Sequence, residues 1–504
     1  MTNTSPHSSQ GFNNIVWSAF NMLRGKVAPS VLRGHLLTIL FLKYVSDVWQ
    51  DHYDQYLLQC GDQPNVIMEI LRHERFVLPD DSGFNALCQE MHEPGNGERI
   101  DRALRAIEDA NSNDLRDVFK LISFDSDNLG DKEQRDDILR NLLYLFSGTN
   151  ADLRPSRAST TDVIGNACEF LFKNAALVSG KGPNEFFTPP EVSQLMALLM
   201  DPKEGDEICD PACGSGSLLI KCGNLVRERH STRRYALYGQ EVVESNWALA
   251  KLNLYLHGEA NWLIECGDTV RNPKLLNANG SLKHFDVLVA KPPFSTEEWG
   301  IESAALDPHD RFLRGLPPRT KGDYAFILHM VETMKPVTGR MAVVVANGVL
   351  FRGAAEGQIR RRLVEENLLD IVIGLPDKLF YGTDIPAAVL VFRKCKTDNK
   401  VLFIDASHDC NLGKRQNTLR PQDLERILMT VRMRQDVAKY AYLASTAEIA
   451  TNDFNLSIPR YVDSIEEYKD IDMLALQHER ELLKTELGAL EVNIASCLKE
   501  LGYE

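Results

Sequence analysis

The chain has 504 residues, so two or three folding units are expected. Hydrophobic residues at 44% and charged residues at 25% suit a soluble globular protein, and a formal net charge of -15 excludes nucleic-acid binding through bulk charge alone. The polar start Met1–Gln10, the lack of a membrane-length apolar run and 10 cysteines without paired CxxC clusters predict a reduced, cytoplasmic chain with no metal site.

From about Asn13 to about Ser147 the pattern is helical. Ile15, Ala19, Met22 and Leu23 recur at helical spacing. Leu36–Val45 is a strongly apolar run that ends at Ser46-Asp47, and Ile100–Ala110 and Ile138–Phe146 are further periodic segments between Gly, Asn and Asp clusters. Ser147–Pro155 reads as a boundary, which predicts a helical N-terminal domain over residues 1–155.

From about Asp162 to about Lys396, short β-branched runs alternate with amphipathic segments. Strands are expected at Glu207–Asp210, Ala236–Gly239, Phe285–Ala290, Met341–Ala346, Ile371–Gly374 and Ala388–Phe392. That rhythm predicts an α/β fold with a mostly parallel sheet covered on both faces. Ligands of such sheets sit beyond the carboxyl ends of the strands.

Asp210-Pro-Ala-Cys-Gly-Ser-Gly216 follows the first of these strands. Its glycines permit a tight turn close to a ligand, and the helix that starts after it presents unpaired N–H groups. The GxGxxG pattern of a dinucleotide-binding turn is absent, and a leading acid suits a ligand that carries an amino group. Cys209 and Cys213 beside it are read as small buried thiols. Gly239-Gln-Glu241 closes the next strand, where an acid can accept from both ribose hydroxyls, and Gly267-Asp268 ends a third unit, where an acid can accept from an adenine amine. Taken singly, each acid is an ordinary cap or turn residue. In this order and spacing they point to one S-adenosylmethionine (AdoMet) site.

Lys291-Pro-Pro-Phe294 follows a later strand end. It is one letter from the motif of enzymes that methylate exocyclic amines, which starts with Asn, Asp or Ser. Arg311, Arg314, Arg319 and Lys321 then form a basic loop interspersed with Asp307, Asp310 and Asp323. Two readings stand for it, phosphate contacts or an ordinary solvated loop. In the tail, a heptad runs from Met473 through Leu476, Leu483, Leu487, Leu490, Ile494, Cys497 and Leu501, with Arg480 in one core slot. A seam this narrow must pack on this chain or on a partner.

With these motifs in order, the chain resembles the modification (M) subunit of a Type I restriction–modification system, a class I AdoMet-dependent DNA adenine N6-methyltransferase. The resemblance also rests on Val16–Gly25, Phe41–Asp47, Glu185–Val192, Asn347–Leu350, Phe380–Pro386 and Asn455–Tyr461. It implies a Rossmann-like methyltransferase domain over 156–445 and a C-terminal helical extension over 446–504 for subunit docking. It places Phe187, Thr188 and Pro189 near the methionine end of AdoMet. It gives Asp210, Ala212, Gly214 and Gly216 to the AdoMet loop, Glu241 to the ribose and Asp268 to the adenine. Lys291, Pro292, Pro293 and Phe294 become the target-base motif. The implied partners are DNA, a specificity (S) subunit, a second M subunit and a restriction (motor–nuclease) subunit.

The resemblance also frames the chemistry. The adenine amine is a poor nucleophile because its lone pair is delocalised into the ring. In the family, the first side chain of the motif and the following Pro carbonyl accept its N–H bonds, while the aromatic stacks on a base drawn out of the duplex. A charged Lys291 has three donors and no acceptor, although a neutral amine can accept one hydrogen bond. Three functions are therefore weighed: a DNA methyltransferase, an AdoMet- and DNA-binding scaffold or sensor with little turnover, and a methyltransferase acting on protein glutamine or RNA.

Overall fold

The computed structural model of the protein describes residues 9–156, 160–178, 188–380, 383, 385–414, 416–463 and 473–501. The chain divides into two compact units, Met1–Val462 and Asp463–Glu504.

In the first unit nine strands form one sheet. They are β1 (Glu207–Asp210), β2 (Ala236–Glu241), β3 (Trp262–Cys266), β4 (Val287–Ala290), β5 (Arg340–Ala346), β6 (Leu369–Gly374), β7 (Ala387–Arg393), β8 (Lys400–Asp405) and β9 (Ala441–Ser445). Their order is β3-β2-β1-β4-β5-β7-β6-β8-β9. β7 runs against β5 and β6, β9 runs against β8, and the other neighbours are parallel. The six expected strands are present. β3 is an edge strand of uneven burial, so its residues give neither an apolar run nor a clean alternation. β8 and β9 lie beyond the point where the sheet was expected to stop, and they widen it by two strands.

Successive residues of the central strands enter opposite hydrophobic clusters, as the pleat requires. Ile208, Val287, Val289, Ala342 and Val344 face one, and Cys209, Leu288, Ala290, Val343 and Val345 face the other. The N-terminal helices extend the first cluster, through Phe20, Leu37, Phe41 and Leu143. The longest of them, Pro29–Cys60, starts with Pro at its first turn, where a missing N–H costs nothing, and is followed by Gly61 at φ 69. It does not end at Ser46-Asp47. Buried Lys43 and Asp47, one turn apart, pair at 2.7 Å, and Asp47 also accepts the Leu153 N–H at 2.7 Å. The polar pair is thus satisfied inside the helix, and its acid pins the segment that was read as a boundary.

The second unit is described by the helix Met473–Glu500. Leu476, Leu483, Leu487, Leu490, Ile494 and Leu501 along its seam are all exposed. Among the described residues, no helix is long and apolar enough to cross a membrane.

Candidate cofactor and target-base site

The chain passes from β1 outward to β2 and β3, then returns to place β4 on the other side of β1. Such a reversal opens a crevice at the carboxyl ends of β1 and β4. Ile208 and Cys209 pair with Val287 and Leu288, and the same offset sets Asp210 level with Val289, two residues before Lys291. On the other side Asp210 pairs with Gly239, and Glu241 pairs with Cys266, two residues before Asp268. Parallel register alone therefore brings the four motifs to one edge of the sheet.

The turn after β1 folds onto β2. Cys213 donates to the Gln240 carbonyl at 3.1 Å, and Gly214 donates to Glu241 Oε2 at 2.9 Å. Gly214 has φ 55, and a Cβ built there meets no atom within 4 Å, so backbone shape demands glycine and the space above stays open. Gly239 is demanded by packing, because a Cβ would lie 2.8 Å from Ile264 and 3.0 Å from Cys213. Gly216 leads into the helix Ser217–His230. Thr269 donates to the Pro211 carbonyl at 2.6 Å and ties the Asp268 loop to the same turn.

Thr188, Ala212, Gly214, Glu241, Asp268, Lys291 and Pro293 line one cavity of about 340 Å³. Pro189 and Pro292 are buried, and Phe187 lies outside the described residues. Phe294 packs edge-on to Phe380, with ring centroids 5.9 Å apart. The Lys291 ammonium lies 5.8 Å from the Phe294 centroid, on the aromatic surface read as the base platform. The loop is fixed from behind. Ser295 donates to buried Asp323 at 3.0 Å, and Arg352 grips the other oxygen of Asp323 at 2.7 Å.

Asp210 is fully buried. Its Oδ1 accepts the Ala212 N–H at 2.9 Å, while Oδ2 has no hydrogen-bond partner among the described residues. Burial pushes its carboxyl up to about 8, reinforced by Glu241 and opposed by the Ala212 N–H and Lys291. Burial likewise pulls Lys291 down to about 8, against the pull of Asp210 and Glu241. Burial raises Glu241, while the N–H groups of Val243 and Gly214 and the Asn246 amide favour its charged form. Burial raises Cys209 and Cys213 as well, which keeps both as thiols. Among the described residues, no group of His, Cys, Asp and Glu is placed to hold a metal ion.

These features fit AdoMet. An orphaned, buried carboxylate oxygen suits an amino group, and the open space over Gly214 lets a ligand approach the backbone. Glu241 takes the Val243 and Gly214 N–H groups on separate oxygens, leaving lone pairs for hydroxyls. Asp268 accepts the Val270 and Arg271 N–H groups at 2.9 Å on one oxygen and the Arg271 guanidinium at 2.8 Å on the other.

Arg311 and Arg314 do not fit the phosphate-contact reading. Arg311 is buried, pairs with Asp307 at 2.7 Å and donates to the carbonyls of Thr269 and Val270. Arg314 pairs with Glu332 and Glu366, and Arg319 with Glu302. Arg311 thus braces the loop after Asp268 from within the protein. Arg311→Ala would strand the buried Asp307 carboxylate, so urea unfolding should show a loss of ~3–5 kcal/mol.

Fold and site together define an AdoMet-dependent methyltransferase of the mostly parallel, Rossmann-like class. Residues 159–470 match the N-6 DNA methylase family, and residues 12–146 match the HsdM N-terminal domain. The chain is 32% identical to the Type I restriction enzyme MjaVIII methylase subunit of Methanocaldococcus jannaschii, over 93% of this chain and 81% of that one. It is 27% identical to the Type I restriction enzyme MpnII methylase subunit of Mycoplasma pneumoniae, over 98% and 97% of the two chains. A crystal structure of the type I restriction-modification system methyltransferase subunit from Streptococcus thermophilus superposes with a TM-score of 0.82 at 31% identity, covering 91% of this chain and 100% of that one. The chain belongs to the N-6 DNA methylase family, as a modification subunit of a type I restriction–modification system.

Proposed function

We propose that the chain transfers a methyl group from AdoMet to the N6 amine of adenine in DNA, at sites chosen by an S subunit. The observation that carries this is the opening of the Asp210 turn and the Lys291–Phe294 loop into one cavity at the strand reversal.

Thr188, Pro189, Asp210, Ala212, Gly214, Gly216, Glu241 and Asp268 would hold the cofactor, with Asp210 at its amino group, Glu241 at the ribose and Asp268 at the adenine. When bound, AdoMet supplies an electrophilic methyl group. Phe294, held edge-on by Phe380, would present its face to a flipped base. The Pro292 carbonyl would accept one N–H of the amine and draw its lone pair out of conjugation. Lys291 would accept the other only as a neutral amine. Asp323 and Arg352 hold the loop at Ser295, which fixes where Pro292 and Phe294 sit.

A second reading is a cofactor- and DNA-binding subunit with little turnover. The Lys291 ammonium beside the Phe294 ring is the observation that favours it. In both readings DNA and an S subunit are partners, joined by a second M subunit and a restriction subunit. The helix Met473–Glu500 offers its exposed leucine seam to helices of S. Residues 1–155, 156–445 and 446–504 serve as helical, methyltransferase and docking regions.

The test is a labelled-methyl assay on the reconstituted complex, with duplex DNA, RNA and protein offered in parallel. Label on adenine N6 of DNA is expected. Label on RNA or protein alone would overturn the substrate. Label that appears only after Lys291→Asn would establish the second reading.

A further inference from the structure

The turn that opens the cofactor cavity is tied to the protein on two sides. Cys213 and Gly214 give their N–H groups to β2, at the Gln240 carbonyl and at Glu241. The Gly216 N–H closes the turn on the Cys213 carbonyl at 2.8 Å, with Gly214 at φ 55 and Gly216 at φ 75. Ser215 stands between these glycines and lines the cavity. Its carbonyl makes the second tie: Asn253 of the helix Glu244–Leu256 donates to it from Nδ2 at 2.8 Å.

Asn253 is an uncommon residue for its place. It is 2% exposed, in a helix whose Leu249, Ala250, Leu252, Leu254 and Leu256 are buried. A carbonyl can only accept, so the contact fixes which end of the amide faces Ser215. Asn253 Oδ1 is left on the other side, buried and without a hydrogen-bond partner among the described residues. An apolar side chain would avoid that cost. The half of the amide that is satisfied is the half that meets the turn.

The support beneath the turn is firm. A Cβ built on Gly216 would stand 3.6 Å from Ala250 and Leu254, so the turn rests directly on the helix face that carries Asn253. That helix is itself pinned at several points. Trp247 donates to the Ile264 carbonyl of β3 at 2.8 Å, and Arg33 of the helix Pro29–Cys60 donates to Asn246 at 3.0 Å. Phe41 of the same N-terminal helix meets Tyr255 edge-on, with centroids 5.4 Å apart.

We propose that Asn253 is a positioning residue for the amino-acid end of AdoMet: it holds the Ser215 carbonyl against the helix and out of the cavity, which keeps the Cys213–Gly216 turn in the shape that receives the ligand. The inference rests on the AdoMet reading above, in which this turn and Asp210 take the amino-acid end while Glu241 and Asp268 take the nucleoside. Without the Asn253 donor, the Ser215 carbonyl is solvated only by turning toward the cavity, and the glycines around it let the peptide swing.

The experiment is calorimetry of S-adenosylhomocysteine and of 5′-methylthioadenosine, which lacks the amino-acid chain, with the folded chain and its Asn253→Ala and Asn253→Leu forms. Asn253→Ala should weaken S-adenosylhomocysteine about five- to tenfold, the worth of one hydrogen bond, and leave 5′-methylthioadenosine unchanged. Asn253→Leu keeps the volume without the donor. It should show the same split between the two ligands, with a melting temperature at or above that of Asn253→Ala. Equal S-adenosylhomocysteine affinity of parent and Asn253→Ala, equal losses for both ligands, or recovery of affinity by Asn253→Leu would overturn the proposal, because each reduces Asn253 to packing. Failure of the parent to bind either ligand is a separate outcome and overturns the cofactor reading beneath it.

Discussion

Lys291→Asn raises the rate of DNA methylation by the assembled enzyme more than tenfold at pH 7, and it removes a pH dependence that the parent shows. Methyl transfer develops positive charge on the attacking nitrogen. A lysine ammonium about 4 Å away opposes that charge by roughly 4 kcal/mol at an effective dielectric near 20. Even half of this exceeds a factor of ten in rate. Burial holds Lys291 at about 8 against the attraction of Asp210 and Glu241. Its neutral fraction therefore climbs about tenfold per pH unit below that value and levels off above it. The parent rate should follow that curve, while the Asn form, with a permanent acceptor, stays flat over the same range. Single-turnover rates from pH 6 to pH 9 measure both. Equal rates and parallel profiles would remove Lys291 from the chemistry.

Asp210→Asn makes the cofactor-free chain more stable at pH 8 and weakens its hold on AdoMet. The acid's folded value of about 8 stands above its ordinary 3.8. Between those values the folded chain holds a proton that the unfolded chain releases, so the parent loses stability as pH rises through that window. Asn carries no such charge and can still accept the Ala212 N–H. Urea unfolding at pH 8 should show a gain on the order of 2 kcal/mol, absent at pH 4. AdoMet affinity should fall about 10- to 100-fold, as one charge-assisted contact is lost. A site residue that costs stability when it is not engaged is the usual sign of a group kept for its ligand. A variant that is less stable at pH 8 with unchanged affinity would contradict this.

What the sequence disclosed follows from which signals are local. Buried parallel strands such as Met341–Ala346 write themselves as β-branched runs, and the turn after Asp210 is fixed by its own glycines. Parallel register carries Glu241, at the end of β2, and Asp268, two residues past β3, to the same sheet edge as Asp210, an arrangement that their order in the chain suggests although β3 itself gives no clear strand signal. Contacts made across the fold were not readable. Arg33 and Asn246 meet only because the helix Pro29–Cys60 packs on the helix Glu244–Leu256, and nothing near Arg33 in the chain announces it. Arg311 carries the same composition signal as a phosphate-binding loop, and only its burial against Asp307 separates the two. A charge inside an apolar run resembles an end until its i, i+4 partner is seen, which is why Ser46-Asp47 looks like a terminus although the helix runs through it. Lys291 was legible as a departure from the motif, but how far burial neutralises it depends on two carboxylates from other strands.

The most direct test of the account is calorimetric titration of AdoMet into the folded chain, alone and in the reconstituted complex proposed above, beside Asp210→Asn. One equivalent taken up per chain by the parent, with clearly weaker uptake by the variant, is the predicted result. No uptake by the parent in either state would contradict the assignment of the cavity between Asp210 and Lys291 as the seat of the methyl donor.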